Sequence, residues 1–268
     1  SELMNIISFS LWGSDPKYTV GAIKNAELAE HFYEDWQCFF YVGSDVPQET
    51  VDRLEEFENV TVIKVDETND WSGMLWRFSA IDTEDAEHVI FRDTDSRLST
   101  REKMAVDEWM SSPEDYFIHG MRDHPEHTEK IMGGMWGVKV IPFLEQVKKR
   151  IAYRGQTVKS FKEVIDYWTE SKSDVNHYGV DQEFLHLFYD NFKTNLLCHD
   201  SYPNWNGHSR RNPVGDYGVI EFNTGFPVRH NTKHDFVGQV YDANNVPVDS
   251  YANRLNQVYS IIYNKELL

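Results

Sequence analysis

The chain has 268 residues, an ordinary apolar fraction and a high aromatic content, with eight Trp, fourteen Tyr and sixteen Phe. That composition supports a folded body with aromatics left to line a cleft, and it excludes a disordered chain. A formal charge of −18 with no basic stripe speaks against nucleic acid or an anionic membrane surface as partners, so a phosphorylated ligand would need a divalent cation as its screen.

Ser1–Leu3, ahead of Met4, lack a signal pattern and read as a possible cloning remnant. Met4–Leu11 predicts a strand closed by the loop Trp12-Gly13-Ser14-Asp15-Pro16. Tyr18–Tyr33 has helical spacing, with Val20, Ile23, Ala26 and Ala29 or Phe32 on one stripe. Trp36–Val42 predicts a buried strand ended by Gly43. Pro47–Phe57 predicts an amphipathic helix turning Val51, Leu54 and Phe57 inward, and the β-branched run Val60–Val65 a third strand. Ser72 is placed to cap a helix through about Ile81, with Met74, Leu75, Phe78 and Ile81 on its apolar side. His88–Phe91 predicts a fourth strand, which runs straight into Arg92-Asp93-Thr94-Asp95. Such alternation predicts βαβ crossovers and a largely parallel sheet, whose ligands gather beyond the carboxyl ends of its strands.

The second half is less regular. Helices are predicted at Glu102–Met110, Pro142–Tyr153 and Asp181 to about Phe192, and a strand at Tyr116–His119. From Asn204 to Pro247 the chain is rich in Gly, Asn, Asp and Pro, with strand-like pieces at Val219–Phe222 and Phe236–Tyr241. Cys38 and Cys198 sit in apolar stretches and read as buried thiols, which with the absence of a disulfide framework predicts a reducing, cytoplasmic setting. No apolar run approaches the ~20 residues that span a bilayer. With no repeat or long linker, one domain over residues 4–268 is the simplest organisation.

Residues two apart on an extended segment point the same way, ~6–7 Å apart. Asp93 and Asp95, just past a buried strand, therefore make a place where a hard cation and a diphosphate can meet. A lone Asp-x-Asp is common in acidic proteins, so context decides. A haloacid-type phosphatase carries the motif on its first strand, and DTDSRLSTRE lacks the further ligands and Gly of a calcium loop.

In that context the sequence resembles the glycosyltransferases of the GT-A fold, in which an Asp-x-Asp motif ends the fourth strand of a nucleotide-binding half. MLWRFSAIDTEDAEHVIFRDTDSRL is similar to the family pattern of an aromatic-x-Arg-hydrophobic helix preceding an apolar strand and that motif. The opening SLWGSDPKYTVGAIKNAEL resembles small glycosyltransferases of large algal viruses and some bacteria. The resemblance implies a single α/β GT-A (Rossmann-like) domain with a central, mostly parallel mixed sheet flanked by helices. Residues 4–98 would be its nucleotide-binding half and 99–268 its acceptor-binding half. It also implies a nucleotide-diphosphate sugar donor, most simply a UDP-sugar, a saccharide acceptor, and Mn²⁺ or Mg²⁺ held by Asp93 and Asp95. Arg77 would lie on the donor's diphosphate or sugar, with Ser8, Phe9 and Leu11 near the base, Asp93 also near the ribose, and Gly133 and Gly134 beneath the transferred sugar. Asp181-Gln182 looks like the Asp-Gln pair of several retaining members, which leans the chemistry toward retention.

The pattern departs from the best-known members near the end. His234-Asp235-Phe236-Val237-Gly238 keeps their His and Gly, but Gln239-Val240-Tyr241 replaces a basic stretch. The third metal ligand is assigned to His234, with His199 the other candidate. Other readings stay open for several residues. Arg77 could balance surface acids, Asp181 could cap its helix, Gly133-Gly134 could form a tight turn, and Trp136 fits the core better than a sugar face. His119, His124 and His127 match no strong metal template and read as loop residues, beside an Asp123 able to touch donor or acceptor. A metal-dependent phosphohydrolase or nucleotidyltransferase, or a non-catalytic sugar-nucleotide binder, would use the same carboxylates.

Overall fold

The computed structural model describes residues 2–67, 69–202 and 221–268. Its core is an eight-stranded sheet built from β1 (Met4–Leu11), β2 (Trp36–Gly43), β3 (Val60–Val65), β4 (Ala86–Arg92), β5 (Ile118–Arg122), β6 (Met135–Lys139), β9 (Leu196–Asp200) and β10 (Phe222–Thr224). The strand order is β10-β9-β5-β6-β4-β1-β2-β3. Only β6 runs against its neighbours, pairing antiparallel with both β4 and β5. This is the mostly parallel mixed α/β sheet that the sequence predicted. Strands from both halves of the chain are woven into it, and β7 (Ala152–Tyr153) and β8 (Gln156–Thr157) form a separate hairpin.

Because β1 lies inside the sheet, both of its faces are buried. Ile6 packs with α4 (Val140–Arg150), α5 (Phe161–Glu170), α6 (Val180–Phe192) and the segment Trp71–Asp82. Ile7, Phe9 and Leu11 pack with α1 (Pro16–Phe32), α2 (Gln48–Glu55) and α3 (Thr100–Met110). Trp136 is core, as predicted: it is fully buried and stacks on Phe91 at 4.4 Å. Cys38 and Cys198 are both buried. Among the described residues no helix is long and apolar enough to cross a membrane.

Several elements differ from expectation. Trp71–Asp82 is a 3-10 helix, and its cap is Asp70, which accepts from the Ser72 N–H, rather than Ser72 itself. The buried residues of α1 are Thr19, Gly21, Ala22, Asn25, Ala26 and Ala29, with Val20 and Ile23 only half-buried. Small residues face inward because the helix lies close against its neighbours. Gly133 and Gly134 lead directly into β6, which begins at Met135. Phe236–Tyr241 forms no strand and leaves only a bridge between Tyr241 and Pro247. Of the piece predicted at Val219–Phe222, the first two residues lie outside those described, and β10 begins at Phe222. The sequence reading missed β6, α5, β9 and α7 (Asp249–Tyr263).

Candidate active site

Asp93-Thr94-Asp95 follows β4, a central strand flanked by β1 and β6. Helix α1 clamps this turn from one side. A Cβ on Gly21 would stand 1.8 Å from the Thr94 carbonyl oxygen, so only glycine permits the approach. One turn on, the Asn25 amide donates to the Ser96 carbonyl at 2.9 Å, and its oxygen accepts from the Leu98 N–H at 3.0 Å. From the C-terminal tail, the Tyr241 N–H donates to the Asp95 carbonyl at 2.8 Å.

Arg77 is 1% exposed and bridges two carboxylates. Its Nη1 donates to Asp93 Oδ1 at 2.7 Å and to the Arg92 carbonyl at 2.8 Å, while Nη2 donates to Asp181 Oδ2 at 2.8 Å. Burial alone would lower the guanidinium's pKa, but Asp93 and Asp181 together raise it. Both ends of the fork are taken by the protein's own carboxylates, and Arg77 also lines a cavity bordered by Asp93 and Asp95.

Asp181 is 3% exposed. Burial raises its pKa, Arg77 pulls it back and Asp93 pushes it up again, with a net rise. The residue does not cap α6, because that place belongs to Gly179 at φ +86°. The glycine pair explains how the carboxylates fit. A Cβ on Gly133 would lie 1.9 Å from Asp181 Oδ2, and one on Gly134 would lie 2.2 Å from Asp93 Oδ2. The close approach demanded of these glycines is to the protein's own carboxylates. Gln182 Oε1 faces the Gly133 N–H at 3.5 Å.

Asp95 carries the perturbed carboxyl of the motif. Burial and the neighbouring charge of Asp93 raise its pKa to about 6, although Lys17 Nζ, 3.6 Å from Oδ2, acts the other way. Two carboxylates that repel each other at the end of a strand suit a hard cation, which would relieve that repulsion. Among the described residues no group of three His, Cys, Asp or Glu gathers that could hold a metal ion.

Other predicted site residues lie elsewhere. Ser8 and Phe9 are fully buried. Ser8 Oγ donates to the Arg77 carbonyl at 2.7 Å and Phe9 stacks on Phe40, so neither faces a ligand. Leu11, at the strand's end, does reach the cleft. His234 pairs with Asp249 at 2.7 Å and borders a different cavity, beside Arg97 and Asp235. His199 is buried between His119 at 2.8 Å and Glu108 at 2.9 Å. Neither candidate third ligand joins Asp93 and Asp95, because each is committed to a partner of its own. Asp123 is also buried, held by Arg101, Ser201, His230 and the Val237 N–H. It organises the tail and does not face a ligand. His124 and His127 lie in a loop on the cleft wall.

Two adjoining cavities share Asp93, Asp95, Met74 and Tyr178. The first, about 250 Å³, is lined by Ser10, Leu11, Trp12, Tyr18 and Trp71. The second, about 210 Å³, is lined by His127, Gly134, Asp181, Gln182 and Phe236. A cavity of about 430 Å³ near Arg229 and Lys265 shares none of these carboxylates. Trp71 packs edge-on against both Trp12 and Tyr178, and Tyr178 is 79% exposed. The sequence reading missed this aromatic group and Lys17. Trp12 follows β1 and Trp71 opens the 3-10 helix after β3, so only a Trp placed beyond each of two strands hinted at them.

No protein-family model matches the chain. No curated protein matches it. Among solved structures, it is similar to a glycosyltransferase involved in glycosylation of the major capsid of PBCV-1, at 17% identity over 74% of this chain and 82% of that one, with a TM-score of 0.45. It is also similar to the galactosyltransferase LgtC in complex with donor and acceptor sugar analogs, at 14% identity over 96% of both chains, TM-score 0.46. A third is 4-diphosphocytidyl-2C-methyl-D-erythritol synthase from Anaerococcus prevotii, at 12% identity over 83% of this chain and 93% of that one, TM-score 0.46.

Proposed function

We propose that the chain is a metal-dependent glycosyltransferase that moves a sugar from a nucleotide-diphosphate donor, a UDP-sugar, to a hydroxyl of a saccharide acceptor. The observation that carries this reading is the position of Asp93 and Asp95. They stand at the junction of an aromatic cavity and a polar one, at the carboxyl end of a central strand. The aromatic cavity offers ring faces to a base, and the polar cavity offers hydrogen-bonding groups to sugars.

Asp93 and Asp95 would hold Mn²⁺ or Mg²⁺ as a two-carboxylate site completed by phosphate oxygens and water. The bound ion would supply charge neutralisation for the departing diphosphate. Arg77 fixes Asp93 in place and orients Asp181 across the same guanidinium. A carboxylate this buried and already ion-paired is poorly placed to take a proton from an acceptor. It suits stabilisation of positive charge growing on the transferred sugar, which favours retention.

Incubation with Mn²⁺ and a panel of nucleotide sugars should release nucleoside diphosphate. Asp95→Asn should lower that rate at least ~100-fold, the scale of losing one preorganised charge contact. Release of inorganic phosphate or pyrophosphate would instead indicate a phosphohydrolase or nucleotidyltransferase. Donor binding with no release would indicate a non-catalytic binder.

A further inference from the structure

We propose that Lys17 is the movable counter-cation of the Asp93–Asp95 pair, held on Asp95 until a divalent metal displaces it and then transferred to a donor phosphate. The metal part rests on Asp93 and Asp95 alone, and the phosphate part rests on the reading above.

Helix geometry sets the direction of Lys17. It is the second residue of α1, whose first turn is fixed by Pro16 and by Asp15, which accepts from the Lys17 N–H at 3.0 Å. Gly21 and Asn25 follow at steps of four, so all three lie on one helix face. Gly21 touches Thr94 and Asn25 binds the backbone at Ser96 and Leu98. The face that grips the turn therefore brings the Lys17 ammonium to Asp95, 3.6 Å away.

The two carboxylates of the motif have cations of different kinds. Asp93 has Arg77, which is buried and tied at both ends, so it cannot leave. Asp95 has Lys17, a compact charge on a flexible stem whose side chain is 36% exposed, against 20% for Asp95. A metal arriving at the pair competes with the movable cation alone. Once displaced, the ammonium stands at the rim of a cleft whose proposed occupant carries two phosphates.

Opposite signs follow for two binding reactions. Lys17 weakens binding of metal alone and strengthens binding of a nucleoside diphosphate in the presence of metal. A merely structural role in α1 would weaken both on substitution. An inert surface ion pair would leave both unchanged.

The test titrates Mn²⁺ alone, by electron paramagnetic resonance of the free ion, against the parent chain, Lys17→Met and Lys17→Arg. UDP is then titrated calorimetrically at saturating Mn²⁺. Lys17→Met should bind Mn²⁺ more tightly by up to about five-fold, the upper end for an exposed pair, and UDP several-fold more weakly. Lys17→Arg should stay near the parent in both. Unchanged or weaker Mn²⁺ binding by Lys17→Met overturns the counter-cation role, and unchanged UDP binding overturns the transfer to phosphate. If the parent fails to bind UDP while Lys17→Met still binds Mn²⁺ more tightly, Lys17 keeps its role at the metal site and the nucleotide-sugar reading falls.

Discussion

Arg77 holds Asp93 and Asp181 with one guanidinium, out of contact with water. Removing it leaves both carboxylates without that partner; for the buried Asp181 this costs about 3–5 kcal/mol, while the part-exposed, water-screened Asp93 adds little. Arg77→Leu should therefore lower the urea midpoint sharply, and adding Asp181→Asn should recover part of the loss. No recovery would mean that Asp181 does not depend on Arg77. Asp95 should behave in the opposite way. Its carboxyl titrates near 6 in the folded chain and near 3.8 when unfolded, so the folded state holds the extra proton between those values. Stability is thus lost as pH rises through this window, and above pH 6 the full cost of the charged Asp95 is present. Asp95→Asn should stabilise the metal-free protein at pH 7.5 by about 3 kcal/mol, since one pKa unit is worth about 1.4 kcal/mol, and give little gain at pH 4. Urea unfolding at the two pH values decides it, and equal effects at both would refute the charge argument. Such a gain in stability with loss of function is common where like charges are gathered for a ligand.

At the scale of elements, α1 works as a template for the motif turn. Asn25→Ala removes an amide that satisfies one buried carbonyl and one buried N–H, each costing about 1–3 kcal/mol when left unpaired. The variant should lose about 2 kcal/mol by urea unfolding and bind Mn²⁺ more weakly. A loss of stability with unchanged Mn²⁺ affinity would separate the helix from the site. This role is hidden in the sequence, because Gly21 and Asn25 interrupt the apolar pattern that marks a buried helical face. The same tertiary demand explains the displaced stripe of α1, where small and polar residues face inward. The first four strands were legible because their apolar runs end in turn residues. By contrast, β9 ends in His199 and Asp200, whose burial depends on His119 and Arg122 from β5, so a polar tail concealed a buried strand. Helix α5 did carry a signal: Ser160 accepts from the Glu163 N–H at 3.1 Å, the Ser-x-x-Glu spacing of a capping box. Leu255 and Val258 of α7 have helical spacing too, but the surrounding Asn and Tyr residues blur it. At the site, strand-end reasoning pointed to Asp93 and Asp95 and the family resemblance to Asp181, and all three border one cavity. Ser8 and Phe9, also implied by the resemblance, border neither cavity, since alternation cannot tell which residues of a strand buried on both faces reach a cleft.

Across the whole molecule, the candidate site joins residues as distant in sequence as Arg77 and Asp181, 104 positions apart, because strands from both halves share one sheet. The same burial that assembles the site also neutralises histidines. Burial lowers the pKa of His88 to about 4, that of His119 well below the usual imidazole value, and those of His124 and His199 in the same direction. The unfolded chain therefore takes up protons near pH 6.5 that the folded chain refuses, and stability falls as pH drops through that value. One pH unit below it, the strongly shifted His88 and His119 each contribute a loss on the order of 1 kcal/mol, and His124 and His199 act in the same direction. Two effects oppose this: the raised carboxyls of Asp95 and Asp181, and the easing of a −18 charge as acids protonate. A comparison of variants isolates the histidine contribution, because both opposing effects are common to parent and variant. His119→Leu, which carries no proton in either state, should lose less stability than the parent between pH 7.5 and 5.5. The difference should be on the order of 1 kcal/mol in urea unfolding, whatever the variant's stability at pH 7.5. Parallel profiles would show that His119 takes up its proton in the folded chain, and hence that the His119–His199–Glu108 chain opens to water near neutral pH.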